Sequence, residues 1–288
     1  MSVFPEVSSE SEIMIYIPSK YSVSHYTPVG PWLRQRAVSI WNSVPDPFIK
    51  PYISDLRFGF VLGCGHSGTT LIAAKLGGHS DVFLIGRETN AFGPGFGAHC
   101  SRRIVKEWSY FAELEGKGLV LEKTPKHVHA VRKIKRVLPD AMFIAIVRNP
   151  LDNVASLYTR FGNLEGAIAR WKVDNKRILS LRGESSVKVV NYENLTREPK
   201  VGFRELCDFL NLPWQAGLIA KGDTAYDSVK QKGNMAVRAE QVSKEIKPKI
   251  NTWPGVLTEK QAKKVLDRTK RLAAEMGYEY SKDLVLGI

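Results

Sequence analysis

A glycine-rich segment is the clearest candidate for chemistry in this sequence. Residues 63–70 read Gly-Cys-Gly-His-Ser-Gly-Thr-Thr and follow the apolar run Phe58–Leu62. Glycines let a backbone turn tightly with its N–H groups aimed inward, and the N-terminus of a following helix adds partial positive charge. Hydroxyl groups in such a loop add further donors. The segment therefore predicts a phosphate cradle, formed by Gly65, His66, Ser67, Gly68, Thr69 and Thr70.

The same segment departs from the loop of nucleotide triphosphatases. In those proteins a lysine follows the last glycine and reaches the outer phosphates, whereas Thr69 follows Gly68 here. The apolar run Met142–Val147 ends in Arg148, where an aspartate would be needed to support a magnesium ion. Both departures argue against a P-loop nucleotide kinase. This function is kept as an alternative.

A second motif begins at Arg148 and ends at Ser156, eight residues later. Asn149 suits a helix N-cap and Pro150 the first helical position, so Ser156 should lie about two turns into a helix. The planar fork of arginine binds phosphate oxygens in a bidentate way. We predict that Arg148 and Ser156 grip a phosphate from two sides.

The elements that must position these residues form a regular series. Short apolar runs alternate with helix-like segments, which predicts a three-layer α/β/α fold with a central, mainly parallel sheet. Polar residues follow the runs, and ligands bind at the carboxyl edge of such sheets. We therefore place the chemistry near the glycine-rich loop, Glu88, Lys123 and Arg148. The predicted strands lie within residues 58–62, 81–85, 119–121, 142–147 and 187–190.

Composition narrows the class of protein. Lysine and arginine total 42 against 29 acidic residues, a formal charge of +13 that favours an anionic partner.

The three cysteines, Cys64, Cys100 and Cys207, are odd in number and lack zinc-site spacing, so we expect reduced thiols and no metal site. No apolar stretch approaches the roughly 20 residues of a membrane span. The acidic N-terminus lacks the features of a signal peptide. These features predict a cytoplasmic protein.

Taken together, the two motifs resemble those of sulfotransferases that use 3′-phosphoadenosine 5′-phosphosulfate (PAPS). The glycine-rich loop is similar to the family's 5′-phosphosulfate loop, with His66 where Lys or Arg is usual. Arg148 and Ser156 resemble its 3′-phosphate element. The resemblance covers about residues 57–280 and implies a P-loop NTPase-like fold. We therefore expect a sulfotransferase domain at 57–288, preceded by an irregular N-terminal extension, residues 1–56, packed on the core.

The resemblance also implies a mechanism, an in-line displacement at sulfur that needs a base and cations but no metal. Glu88, 22 residues after His66, resembles the base of tyrosylprotein sulfotransferases, and Glu122 is the second choice. Lys123 and His66 are candidates for contacting the transferring group or the bridging oxygen. Lys232 lies in a basic segment that resembles the flap over the 3′-phosphate.

The expected partners are PAPS, with 3′,5′-ADP as its product, and an acceptor hydroxyl on a sugar, a phenol, a lipid or a peptide tyrosine. The sequence indicates neither which acceptor is used nor an oligomeric state. A basic nucleic-acid-binding protein is a further alternative, based on the charge alone. The sequence has no helix-turn-helix, zinc-finger or ribonucleoprotein signature to support it.

Overall fold

The structure is a computed structural model that describes residues 55–94, 96–219 and 246–278. Two expectations from the sequence lie almost wholly outside these residues. They are the packing of the N-terminal extension, residues 1–56, and the basic flap that contains Lys232.

The centre of the molecule is a five-stranded sheet in the order β2-β3-β1-β4-β5. Every neighbouring pair of these strands is parallel. Helices cover both faces, so the predicted three-layer α/β/α fold is confirmed. The strands are β1 (Arg57–Gly63), β2 (Val82–Leu84), β3 (Leu119–Lys123), β4 (Met142–Val147) and β5 (Val187–Asn191).

Alternation of side chains along the strands builds two separate cores. Phe60 and Leu62 of β1 enter the core on one face, while Val61 enters the core on the other. In β4, Phe143 faces the first core and Ile144 the second. Successive side chains of a strand point to opposite faces, and apolar residues at every position therefore fix a strand between two helical layers.

The connections are mostly helical and return the chain to the start of the next parallel strand. Short 3₁₀ helices add to them at Pro125–His129, Ala216–Ile219 and Trp253–Gly255. None of the helices in the described residues is long and apolar enough to cross a membrane. In the part of the chain that the structure describes, the α-helices are α1 (Thr69–Leu76), α2 (Ala98–Leu114), α3 (Val131–Val137), α4 (Pro150–Phe161), α5 (Leu164–Leu179), α6 (Tyr192–Arg197), α7 (Pro199–Phe209) and α8 (Glu259–Glu275).

Local capping explains where two of these helices begin. Asn149 Oδ1 accepts a hydrogen bond from Asp152 N at 2.9 Å, and Pro150 is the first residue of α4. Thr258 and Gln261 form a capping box at the start of α8. The N-terminus of α4 lies where the sequence motif predicts it.

Asp152 joins the C-terminal segment to the start of α4. Its carboxylate is buried and accepts hydrogen bonds from the backbone N–H groups of Asn251, Thr252 and Trp253 at 2.7–3.0 Å. Hydrogen bonds to a charged group are among the stronger ones in proteins. This contact holds the chain that leads into α8 beside the second motif.

Candidate functional site

The residues singled out in the sequence gather at the carboxyl edge of the sheet, as far as they lie in the described part of the chain. In the register of the parallel pairs, Val61 of β1 is opposite Lys123 of β3, and Gly63 is opposite Ile146 of β4. The glycine-rich loop therefore leaves β1 between the end of β3 and the end of β4, where Arg148 follows. This edge is the ligand-binding edge of open α/β sheets.

The glycine-rich loop has a backbone that its residue types explain. Gly68 has φ 109°, and a β-carbon there would lie 2.6 Å from Cδ2 of the Tyr192 ring, so only glycine fits. No side chain of the described residues caps the N-terminus of α1, whose first N–H groups lack acceptors within the helix. This is the geometry of an anion-binding helix terminus.

Ser67 differs from the expectation that its hydroxyl faces a ligand. Its side chain is buried, and Oγ donates a hydrogen bond to the carbonyl of Cys64 at 2.7 Å. The Ser67 N–H donates to the same carbonyl at 3.2 Å. Ser67 thus closes the turn of the loop, and Thr69 and Thr70 are the hydroxyl residues at the start of α1.

The two sequence motifs meet at His66. Its Nδ1 lies 2.9 Å from Ser156 Oγ, and its carbonyl accepts a hydrogen bond from Arg148 Nη1 at 3.2 Å. Asn153, one turn before Ser156, donates from Nδ2 to the carbonyl of Gly65 at 2.8 Å. Arginine, serine and asparagine from the second motif therefore hold the loop of the first.

Arg148 is buried and packed against an aromatic ring. Its guanidinium carbon lies 4.6 Å from the centre of the Tyr192 ring, a cation–π contact, and Nη2 donates to the carbonyl of Lys249 at 2.6 Å. Its buried Nε has no hydrogen-bond partner among the described residues. Tyr192 touches both Arg148 and the Gly68 region, a role that no local pattern indicated.

A buried lysine and a half-exposed glutamate form an ion pair across the neighbouring strand ends. Lys123 Nζ lies 2.6 Å from Glu88 Oε1, and the lysine side chain is fully buried, whereas 42% of the Glu88 side chain is exposed. The two candidates from separate segments are thus in direct contact. Glu88 is the member of the pair that is accessible from solvent.

Glu122, the second-choice base, lies inside a closed hydrogen-bond network. It accepts hydrogen bonds from Thr89 Oγ1 at 3.0 Å, Thr124 Oγ1 at 2.5 Å and His127 Nδ1 at 3.0 Å. The Thr89 N–H also donates to Thr124 Oγ1 at 3.1 Å. Because Thr89 adjoins Glu88 and Thr124 adjoins Lys123, this network fixes the two members of the ion pair relative to each other.

The surroundings of Glu122 favour its charged form. Burial alone would raise the pKa of this carboxyl, but His127 beside it and three side-chain hydrogen bonds together hold the pKa below its usual value. The pKa of Glu122 is lower in the folded state than its unfolded-state value of about 4.3, so its charged form stabilises the fold at pH values above 4.3. This stabilisation is lost as the pH falls from there through the folded-state pKa.

We predict that Glu122→Gln lowers the free energy of unfolding by about 2 kcal/mol at pH 7, because three buried donors lose a charged acceptor. The stability of the variant should also fall less steeply than that of the wild type below about pH 4.3. Urea unfolding at several pH values measures both effects. Glu115→Gln, an exposed site, is the matched control. Equal stabilities across the pH range would contradict the role of the network.

The described residues hold no group of three or more His, Cys, Asp or Glu side chains that could bind a metal ion. None of the three cysteines, all within the described residues, forms a disulfide. Burial raises the pKa of the Cys64 thiol well above its usual value, with Asp174 adding to the effect.

Comparison with known proteins gives three kinds of likeness. A model of the sulfotransferase family matches residues 98–216. A protein-tyrosine sulfotransferase 1 of Danio rerio is 24% identical over 218 residues, which are 62% of this chain and 59% of the relative. An uncharacterised protein of Aquifex aeolicus is 26% identical over 194 residues, which are 54% of this chain and 26% of the relative. The chain thus spans less than two thirds of the length of both relatives.

Among solved structures, the sulfotransferase domain of an olefin synthase from Synechococcus PCC 7002 superposes with a TM-score of 0.54. It is 20% identical and aligns with 82% of this chain and all of that domain. This likeness concerns the fold. The family model adds a match in sequence over residues 98–216, so the chain is similar to sulfotransferases in that segment as well as in its fold.

Proposed function

We propose that this protein is a PAPS-dependent sulfotransferase that transfers a sulfuryl group to an acceptor hydroxyl. The junction of the two motifs at His66 carries the proposal, because Arg148 and Ser156 both contact this residue of the glycine-rich loop. PAPS has anionic groups on the 3′ and 5′ positions of one ribose. A ligand of this kind needs two anion-binding elements held in fixed relation, as these contacts hold them.

The residues present fit such a ligand. The N-terminus of α1 is uncapped by side chains of the described residues, which suits the 5′-phosphosulfate end. The buried Nε of Arg148 lacks an acceptor within the described chain, and an unpaired buried N–H is costly. A 3′-phosphate oxygen would satisfy it. We assign residues 65–70 to the 5′ end, and Arg148 and Ser156 to the 3′-phosphate.

The ion pair of Lys123 and Glu88 would carry the proton transfer. When bound, PAPS supplies the sulfuryl group and leaves as 3′,5′-ADP. Glu88, half-exposed at the edge of the site, takes the proton from the acceptor oxygen as that oxygen attacks. Lys123 orients the Glu88 carboxylate and places a positive charge where negative charge develops. His66, held by Ser156, donates toward the bridging oxygen.

Glu122 acts as a positioning residue in this proposal. Its hydrogen bonds to Thr89 and Thr124 hold the segments that carry Glu88 and Lys123. Glu122 is 1% exposed, so an acceptor cannot approach it without opening the network. These contacts support Glu88 as the base.

A panel of nucleotides tests the proposal against the kinase alternative. Thermal unfolding of the full chain is measured with 3′,5′-ADP, with 5′-ADP and with ATP plus magnesium, each at equal concentration. A ligand that binds only the folded state at about 100 times its Kd adds about 2.7 kcal/mol of stability. We expect the largest rise in melting temperature with 3′,5′-ADP. A larger rise with ATP and magnesium would contradict the proposal and favour a kinase.

The acceptor is the next question for experiment. The Danio rerio relative is named as a protein-tyrosine sulfotransferase, so peptides with tyrosine are the first acceptor class to assay with labelled PAPS. Sugars, phenols and lipids follow in the same assay. We propose residues 57–288 as the sulfotransferase domain for such work.

A further inference from the structure

We infer that Arg170 supplies a fixed positive charge to the 5′-phosphosulfate loop, where residue 66 is a histidine. The inference deepens the proposed function and rests on it. Arg170 lies on α5, more than a hundred residues along the chain from the loop, and it belongs to neither sequence motif. Its position against the loop is visible only in the folded protein.

The contact between Arg170 and the loop is close. A β-carbon placed on Gly65 would lie 2.6 Å from Arg170 Nη2, 3.0 Å from Cζ and 3.4 Å from Nη1. The guanidinium group therefore lies directly against the backbone of Gly65. Any side chain at residue 65 would displace it, so the glycine leaves room for the cation as well as for a ligand.

The far side of the guanidinium group is held by an acidic residue. Arg170 Nε forms an ion pair with Asp174 Oδ2 at 3.5 Å, and the Asp174 side chain is only 7% exposed. His129 Nε2 contacts the other oxygen of Asp174 at 2.7 Å. Asp174 is thus fixed from two sides and directs the terminal nitrogens of Arg170 toward the loop.

The two terminal nitrogens of Arg170 are available to an anion. Neither Nη1 nor Nη2 forms a hydrogen bond to the described residues, and 29% of the side chain is exposed. The Phe161 ring, 5.9 Å away, shields one side of the group. A guanidinium group presents paired N–H donors that match phosphate and sulfate oxygens.

The position of α5 is tied to the second anion-binding element. Trp171, the residue after Arg170, is fully buried and donates from Nε1 to the carbonyl of Arg148 at 3.2 Å. Adjacent residues of one helix therefore contact Gly65 of the loop and the backbone of Arg148. This arrangement places the Arg170 charge in a fixed relation to both elements.

Histidine has an ordinary pKa of about 6.5, so this residue type is not a source of charge at every physiological pH. An arginine stays charged at all physiological pH values. Arg170 thus provides beside Gly65 the charge that lysine or arginine at residue 66 would provide from within the loop. We expect it to contact the 5′ end of the cofactor and not the 3′-phosphate.

Calorimetric titration of the full chain with two ligands tests the inference. The first ligand, 3′,5′-ADP (adenosine 3′,5′-bisphosphate), has the 5′-phosphate that Arg170 should contact. The second, adenosine 3′-monophosphate, lacks this 5′-phosphate. We expect Arg170→Gln to weaken binding of the first ligand by about tenfold, which is about 1.4 kcal/mol, and to leave binding of the second unchanged. Arg170→Lys, which keeps the charge but not the paired donors, should weaken binding of the first ligand less than Arg170→Gln does.

Lys172→Gln is the matched control, since it removes one positive charge from an exposed position on the same helix. It should bind both ligands as the wild type does. If Arg170→Gln lost affinity equally for both ligands, Arg170 would have a structural role and the inference would be overturned. An unchanged affinity of Arg170→Gln for 3′,5′-ADP would also overturn it. If Arg170→Lys lost as much affinity for 3′,5′-ADP as Arg170→Gln does, the proposed role of the Arg170 charge would be overturned. A wild-type chain that binds neither ligand would instead refute the proposed function itself.

Discussion

Replacing Glu88 by glutamine should lower the rate of sulfuryl transfer by about a hundredfold or more, the usual contribution of a positioned general base. The amide keeps the shape of the side chain and can still approach Lys123, which is 2.6 Å from the carboxylate in the wild type. It cannot accept the acceptor proton. Turnover is measured with labelled PAPS and the acceptor found in the screen.

The affinity of this variant for 3′,5′-ADP separates chemistry from binding. We expect it to stay within about twofold of the wild type, because the proposed mechanism assigns Glu88 to the acceptor and not to the cofactor. Glu115→Gln, at an exposed position, should keep full turnover. Near-normal turnover of Glu88→Gln would remove Glu88 as the base and direct attention to His66 or Glu122.

Replacing Arg148 by alanine should weaken binding of 3′,5′-ADP by about tenfold or more, a loss of about 1.4 kcal/mol or above. The variant removes the buried guanidinium group and with it the Nε that has no partner among the described residues. It also removes the hydrogen bond to the His66 carbonyl. Isothermal calorimetry measures the loss directly.

Adenosine 5′-monophosphate distinguishes the 3′-phosphate role from a general loosening of the loop. This ligand lacks the 3′-phosphate, so Arg148→Ala should bind it nearly as well as the wild type does. Arg132→Ala removes an exposed arginine and is the matched control for charge. An equal loss of affinity for both nucleotides would mean that Arg148 shapes the loop without contacting the 3′-phosphate. An unchanged affinity for 3′,5′-ADP would refute the assignment.

Local sequence patterns predicted most of the fold and the position of the glycine-rich loop and Arg148 at the carboxyl edge of the sheet. The strand Met142–Val147 has the bounds expected, because a continuous apolar run is followed at once by Arg148, Asn149 and Pro150. The strand that begins at Leu119 is longer than its apolar run and continues through Glu122 and Lys123. A pattern of hydrophobic residues cannot include buried charges whose partners come from other segments.

Contacts between segments that are distant in the sequence explain the site residues that sequence patterns did not predict. Tyr192 packs on Arg148, and Arg170 lies against Gly65, yet neither belongs to a local motif at the loop. Asn153 could have been found, since it lies one helical turn before Ser156 and shares its face. The loop motif predicts that the Ser67 hydroxyl faces a ligand, but this hydroxyl closes the turn by donating to the Cys64 carbonyl. Loop geometry of this kind depends on three-dimensional packing.

Calorimetric titration of the purified full chain with 3′,5′-ADP in the absence of magnesium tests the proposed function. The junction of the glycine-rich loop with Arg148 and Ser156 predicts one site per chain and micromolar affinity, about 8 kcal/mol of binding free energy. The absence of any heat of binding, in a sample that unfolds cooperatively on heating, would contradict the proposed function.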